Sequence, residues 1–176
     1  MTTVLIAGAS IAGPALAAWL HRYGFEVTVI ERAAELRSGG QNVDVRGAGR
    51  EVARRLGLED AIRAATTGEA GVRFVDADDH TIASFAAGSS DSDGPTAELE
   101  ILRGDLARLL VEQTSSDVEY VYGDHITGLE DDGSRVEVAF AHGGPRTFDL
   151  VVAARIASSR PIRRATSRPA PRTSTF

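Results

Sequence analysis

The chain has 176 residues and a mass of 18.6 kDa, enough for one ordinary domain with a sizeable core and too few for two. Hydrophobic residues make up 43% and charged residues 25%, which excludes wholesale disorder, and the absence of cysteine excludes disulfide frameworks, thiolate metal sites and cysteine nucleophiles together. Residues 1–154 hold 13 arginines and all 25 acidic residues, a net charge of −12 that argues against nucleic-acid binding, whereas residues 155–176 hold six arginines and no acid.

Val4 to Leu20 is apolar enough to imitate a secretory signal, but no Lys or Arg precedes it and a Gly/Ser turn interrupts it. A folded strand-turn-helix is expected instead, with no membrane partner and a cytoplasmic location. Thr3 to Ala7 reads as a strand buried on both faces, and Gly8 to Gly13 breaks it. A helix is expected from about Ile11 to Tyr23, with Leu16, Trp19 and Leu20 on its apolar face, Pro14 in its first turn and Gly24 as its C-cap. Glu26 to Glu31 follows as a second β-branched strand and completes a strand-helix-strand unit.

Residues 33–48 read as a loop, and residues 49–65 as two helices divided at Gly57. Gly71 to Phe85 reads as a hairpin turning at Asp78-Asp79, and Ala86 to Ala97 as a flexible loop. A strand from Glu98 to Leu102 leads into a helix from about Gly104 to Thr114. Three strands then follow, near 118–129, 135–141 and 147–153.

The residues that carry chemistry are Gly8-Ala9-Ser10-Ile11-Ala12-Gly13, between the first strand and its helix, with Glu31 ending the next strand 18 positions beyond Gly13. A dinucleotide uses each part of this arrangement. Glycines let the backbone approach a pyrophosphate, the helix N-terminus offers N–H groups and a positive dipole end, and the carboxylate accepts hydrogen bonds from ribose hydroxyls. Ser10 stands at the usual second-glycine position. Gly8-Ala9-Ser10 also begins a nucleophile elbow, but position 12 is alanine where the elbow has glycine. His21, His80, His125 and His142 lack ligand spacing, so no metal site is expected. On these residues alone, a nucleotide-binding module without turnover and a short NAD(P)-dependent oxidoreductase both stay open.

The chain resembles the flavin-dependent aromatic hydroxylases and monooxygenases, and among them the tetracycline-inactivating type. The resemblance runs from residue 2 to about residue 152 and is carried by four blocks in order: residues 4–17, Val29-Ile30-Glu31-Arg32, Gly40-Gln41-Asn42-Val43-Asp44-Val45-Arg46-Gly47, and residues 102–110 beginning Leu102-Arg103-Gly104-Asp105. It implies a Rossmann-like α/β FAD-binding domain over residues 1–153, with a parallel sheet, helices and an added antiparallel β-meander. The hairpin and loop of residues 71–97 would project toward a substrate domain. It also implies FAD as cofactor, NADPH or NADH as electron donor, and an aromatic or polycyclic small molecule as substrate. By that resemblance Gly8, Ser10, Ile11, Ala12 and Gly13 hold the FAD pyrophosphate, Glu31 holds the ribose, Arg32, Asp44 and Arg103 hold further parts of FAD, and Arg37 contacts NADPH. Arg37 and Arg46 also read as ordinary surface arginines, and Arg103 does so less readily because it precedes a helix beside the expected cofactor. The flavin carries the chemistry in such enzymes, so no catalytic acid or base is nominated.

The family pattern after Asp149-Leu150-Val151-Val152 is Gly-Ala-Asp-Gly, whereas this chain has Ala153-Ala154-Arg155-Ile156. From there the composition turns to Arg, Pro, Ser and Thr without apolar periodicity, so residues 154–176 are expected to form a basic irregular tail. A reading-frame change near residue 153 is compatible with this: one permitted codon choice for Ala153-Ala154-Arg155-Ile156, GCG GCG CGG ATC, gives Gly-Ala-Asp when read from its third base. The expectation is thus the FAD-binding part of a monooxygenase, truncated and inactive alone, with apolar surface available for self-association.

Overall fold

The structure, a computed structural model, describes residues 1–86 and 97–154 together with the backbone of 164–166. In chain order the elements are β1 (Thr3–Ala7), α1 (Ala12–Arg22), β2 (Glu26–Glu31), β3 (Asn42–Asp44), α2 (Gly47–Leu56), α3 (Glu59–Ala64), β4 (Gly71–Val75) and β5 (Thr81–Ala86). They continue with β6 (Glu100–Leu102), α4 (Arg103–Glu112), β7 (Glu119–Tyr122), β8 (Ile126–Asp131), β9 (Val136–Phe140), β10 (Arg146–Phe148), β11 (Leu150–Ala153) and β12 (Arg164–Thr166). The chain divides into two compact units, one of residues 1–35 with 114–176 and one of residues 36–113.

The first unit is built on a parallel sheet in the order β11-β1-β2-β7. Side chains alternate across a strand, so β1 serves two layers at once. Val4 and Ile6 pack with Ala17, Val27, Val29 and Val118, and with Leu16 and Leu20 of α1. Leu5 and Ala7 pack on the other face with Ile30, Val138 and Phe148, where the antiparallel strands β8 to β10 cover the sheet. Val4, Leu5 and Ile6 are fully buried, which explains why β1 is aliphatic without a polar alternate. The chain passes from the antiparallel layer to the parallel one at Asp149. Its carboxylate accepts hydrogen bonds from the Thr3 N–H (2.7 Å) and hydroxyl (2.9 Å) at the start of β1.

The second unit pairs β3 with β6 antiparallel, pairs β4 with β5 as a hairpin, and carries α2, α3 and α4. Its buried side chains include Ala53, Leu56, Ile62, Leu99, Ile101, Leu106 and Leu110. Arg50 ties α2 to α3 through Glu59 (2.7 Å) and to the segment before β6 through Glu98 (2.9 Å). The hairpin turns at Asp78-Asp79, with Asp79 at positive φ. Phe74, Val75, Ile82 and Phe85 on it are exposed.

Several elements depart from the sequence reading, each for a local reason. Trp19 does not join the core of α1. The residues of α1 buried against the sheet are Gly13, Pro14, Ala17 and Ala18, small enough for close approach, while Trp19 stacks on Tyr23 and carries the Arg22 guanidinium. The single strand expected near 118–129 is two, because Gly123 takes φ +75° and breaks the ladder between β7 and β8. The strand expected at 147–153 is divided between two sheets at Asp149. Part of the expected 33–48 loop is β3, which exists only through its pairing with β6. Within the stretch expected to be an irregular tail, Arg164–Thr166 pairs parallel with β8, and the rest of 155–176 lies outside the described residues. The loop expected at Ala86–Ala97 lies almost wholly outside them too.

Candidate nucleotide-binding site

β1 ends against a turn whose shape is set by two glycines. Gly8 takes φ +116°, a conformation that side-chain-bearing residues rarely adopt, while its N–H donates to the Ile30 carbonyl (2.8 Å) and keeps β1 beside β2. Gly13, in the first turn of α1, lies so close to the Gly8 carbonyl that a Cβ there would overlap its oxygen. Ser10 and Ile11 are half-buried and Ala12 is exposed at the entrance of the helix. No side chain caps α1 and no acid lies in its first turn. The positive end of its dipole is therefore not compensated by a carboxylate of that turn, a setting that suits an anion.

Glu31 ends β2 on the face of the sheet that α1 covers. Its Oε2 accepts the Ala9 N–H and its Oε1 the Ala33 N–H, each at 3.0 Å, so the carboxylate is held between the turn and the chain leaving β2. An ionised carboxylate has about four acceptor positions and no donor, the chemistry that a ribose hydroxyl donor would meet. Tyr122 is the register partner of Glu31 on β7 and stacks on Tyr120. Burial and the nearby Glu31 charge push its phenol above the usual range, so it stays neutral. Sequence reading passed over this tyrosine, whose signal is the alternation Tyr120-Val121-Tyr122 in a strand beside the acid. Arg32, the residue after Glu31, is exposed.

Arg37, Asp44 and Arg103 belong to the second unit. Arg37 is exposed. Asp44 closes β3 and pairs with Arg46 at 2.6 Å. Arg103 opens α4, and its N–H donates to the Gln41 carbonyl (3.1 Å), which places it three residues along the β3–β6 ladder from Asp44, roughly 10 Å of strand. The glycine after Arg103 is required by contact: a Cβ on Gly104 would lie 2.4 Å from the Gly39 nitrogen, and the Gly104 N–H donates to the Gly39 carbonyl (2.9 Å). In the sequence Gly39 and Gly40 signal only a loop, and nothing local shows that this loop is pressed onto the start of α4.

His80 does meet possible metal-ligand partners, contrary to the spacing argument, because the hairpin turn folds Asp76, Asp78 and His80 together with ligand atoms within 4.8 Å of one another. All three are exposed. The Asp76 carboxylate is engaged by the turn itself, accepting the N–H groups of Asp78 and His80. Among the described residues no helix is long and apolar enough to cross a membrane.

The glycine turn, the helix end and Glu31 fit the pyrophosphate and adenosine ribose of a dinucleotide. The chain matches the family model described as FAD binding domain over residues 1–153. It is 43% identical over 156 residues to an uncharacterised protein of Mycobacterium tuberculosis, covering 88% of this chain and 42% of that protein. It is 44% identical over 159 residues to the flavin-dependent monooxygenase eupH of Phoma sp, covering 86% of this chain and 37% of that one. Among solved structures, the tetracycline destructase Tet(55) superposes with a TM-score of 0.74 at 36% identity, covering 86% of this chain and 37% of that chain. The chain thus spans about two fifths of the length of these relatives. With residues 1–153 matched and the turn, helix and acid in place, the chain belongs to the FAD binding domain family.

Proposed function

We propose that this chain forms the FAD-binding part of an NAD(P)H- and O2-dependent monooxygenase acting on an aromatic or polycyclic small molecule, and that alone it binds FAD without coupled oxygen transfer. The observation that carries the reading is the Glu31 carboxylate, clamped by the Ala9 and Ala33 N–H groups beside a turn in which residue 13 has no room for a Cβ. The monooxygenase and tetracycline destructase names of its relatives support the reaction class.

Bound FAD supplies the redox chemistry, moving electrons from NADPH or NADH and one oxygen atom from O2 to the substrate. The residues of this chain bind and orient. Gly8 to Gly13 admit the pyrophosphate to the first-turn N–H groups of α1, and Glu31 accepts the adenosine ribose hydroxyls. Arg32, Asp44 and Arg103 hold further parts of FAD, and Arg37 receives NADPH. The exposed Phe74, Ile82 and Phe85 of the hairpin support self-association of the isolated chain.

The test is titration of the purified apo-protein with FAD, followed by absorbance. Yellow protein with flavin bands supports the reading, whereas colourless protein that binds NAD(H) and not FAD overturns it.

A further inference from the structure

We propose that Asp124 is the positioning residue for Glu31, its buried carboxylate fixing the β7–β8 corner against which the end of β2 is hung. The inference rests on the ribose role proposed above for Glu31.

Asp124 is 6% exposed. Its Oδ1 accepts the N–H groups of His125 (2.7 Å), Ala141 (3.0 Å) and His142 (3.1 Å), and its Oδ2 accepts that of Gly143 (2.9 Å). These donors come from the residue after the corner and from the turn between β9 and β10. One side chain therefore pins two stretches of backbone that are 17 to 19 residues apart. Burial opposes ionisation, yet the N–H groups of His125, Gly143, His142 and Ala141 together hold the carboxyl below its usual range. Asp124 is a charged acceptor at neutral pH, the form that binds N–H groups most strongly.

The backbone of the same corner faces β2. The Asp124 N–H donates to the Glu31 carbonyl (3.2 Å), and the Gly123 N–H donates to the Ala33 carbonyl (2.8 Å). The Ala33 N–H in turn donates to Glu31 Oε1 at 3.0 Å. The Gly123-Asp124 backbone thus links the Asp124 side chain covalently to two N–H groups bonded to the Glu31 and Ala33 carbonyls, and the Ala33 N–H completes the path to the Glu31 carboxylate. The Asp124 side chain spends its bonds on backbone, so its action on a nucleotide passes through Glu31.

The experiment compares the affinity of the full chain for FAD with that for an FAD analogue lacking the adenosine 2′-hydroxyl. Wild type should prefer FAD by about tenfold, the scale of one hydrogen bond to a charged group. Asp124→Asn keeps an acceptor for the Oδ1 donors but sets an NH2 against the Gly143 N–H, and should reduce the preference to below about threefold. Gly143→Ala approaches from the other side, since its Cβ would lie 3.2 Å from Asp124 Oδ2, and should reduce the preference in the same direction without altering either acid. Loss of preference in either folded variant supports the proposal. If Glu31→Ala abolishes the preference while both other variants retain it, Asp124 is structural only and the proposal is overturned. If wild type itself shows no preference, the ribose role of Glu31 has failed and the proposal falls with it.

Discussion

A methyl group at residue 13 would lie 1.8 Å from the carbonyl oxygen of Gly8, well inside any contact that carbon and oxygen tolerate. The obstacle is backbone, with no flexible side chain to yield. Gly13→Ala must therefore push the first turn of α1 away from β1. Overpacking of this kind costs about 3 kcal/mol, and FAD affinity should fall by more than about tenfold as the helix end leaves its place. Denaturant unfolding and FAD titration of the variant check both effects, and unchanged affinity would show that this turn does not meet the pyrophosphate.

Glu31→Ala removes a charged acceptor from the Ala9 and Ala33 N–H groups and from the ribose site proposed above. FAD binding should weaken by about 1 to 3 kcal/mol. Glu31→Gln should not rescue it, because an amide NH2 would face one of those two N–H donors. Isothermal titration with FAD separates the variants, and full affinity in Glu31→Gln would overturn the clamp.

The strand-turn-helix-strand unit of residues 3–31 was legible because its signals are local: an aliphatic run, two glycines, a proline tolerated in a first turn, and an acid at the end of a β-branched strand. The second unit was less so. β3 is three residues long and holds its shape only by pairing with β6, some sixty residues away, which periodicity does not register. Gly104 looked like part of a helix start, and its reason for being glycine is a neighbour 65 positions earlier. Asp124 falls inside the single strand expected over 118–129. The hint was there in Gly123-Asp124, a turn pair interrupting the alternation of β7 and β8.

Gly104→Ala tests that second contact. Its Cβ would meet the Gly39 nitrogen at 2.4 Å and the Gly39 oxygen at 2.7 Å, and the loop must move to admit it. The expected loss of stability is about 2 kcal/mol. Hydrogen exchange should locate it at Gly39 and the start of α4, and a loss spread evenly over the chain would contradict the contact.

Asp149 makes stability depend on acid. The Thr3 N–H and the Thr3 hydroxyl hold its carboxyl below the ordinary range. A depressed folded pKa gives stability that is complete above the unfolded value of about 3.9 and is lost as pH falls through the folded value. Asp149→Asn should therefore be less stable than wild type at pH 7, with the gap closing toward pH 2. Denaturation midpoints across that range decide it, and a constant gap would remove the ionised carboxylate from the explanation.

The 176-residue chain should consume NADPH slowly and without forming an oxygenated product, even when loaded with FAD. Coupled oxygen transfer needs water excluded around the reduced ring and the substrate, and the chain spans only 37% of the monooxygenase relative. Assays with aromatic and polycyclic compounds, scored by mass for one added oxygen, check this. Substrate-dependent product from the isolated chain would sink the idea.

The placement of β1 between β2 and β11 has a consequence for biosynthesis. Val4 to Ala7 lie beside Leu150 to Ala153, so β1 finds one of its two neighbours only after residue 150 has emerged from the ribosome. At common translation speeds that delay is on the order of 10 s. Residues 36–113 form a continuous unit, all of it synthesised within that interval. Leu5 and Ala7 meanwhile wait for Val138 and Phe148 to cover them. An aliphatic strand made early is therefore completed late, and its apolar side chains stay uncovered for as long as that takes.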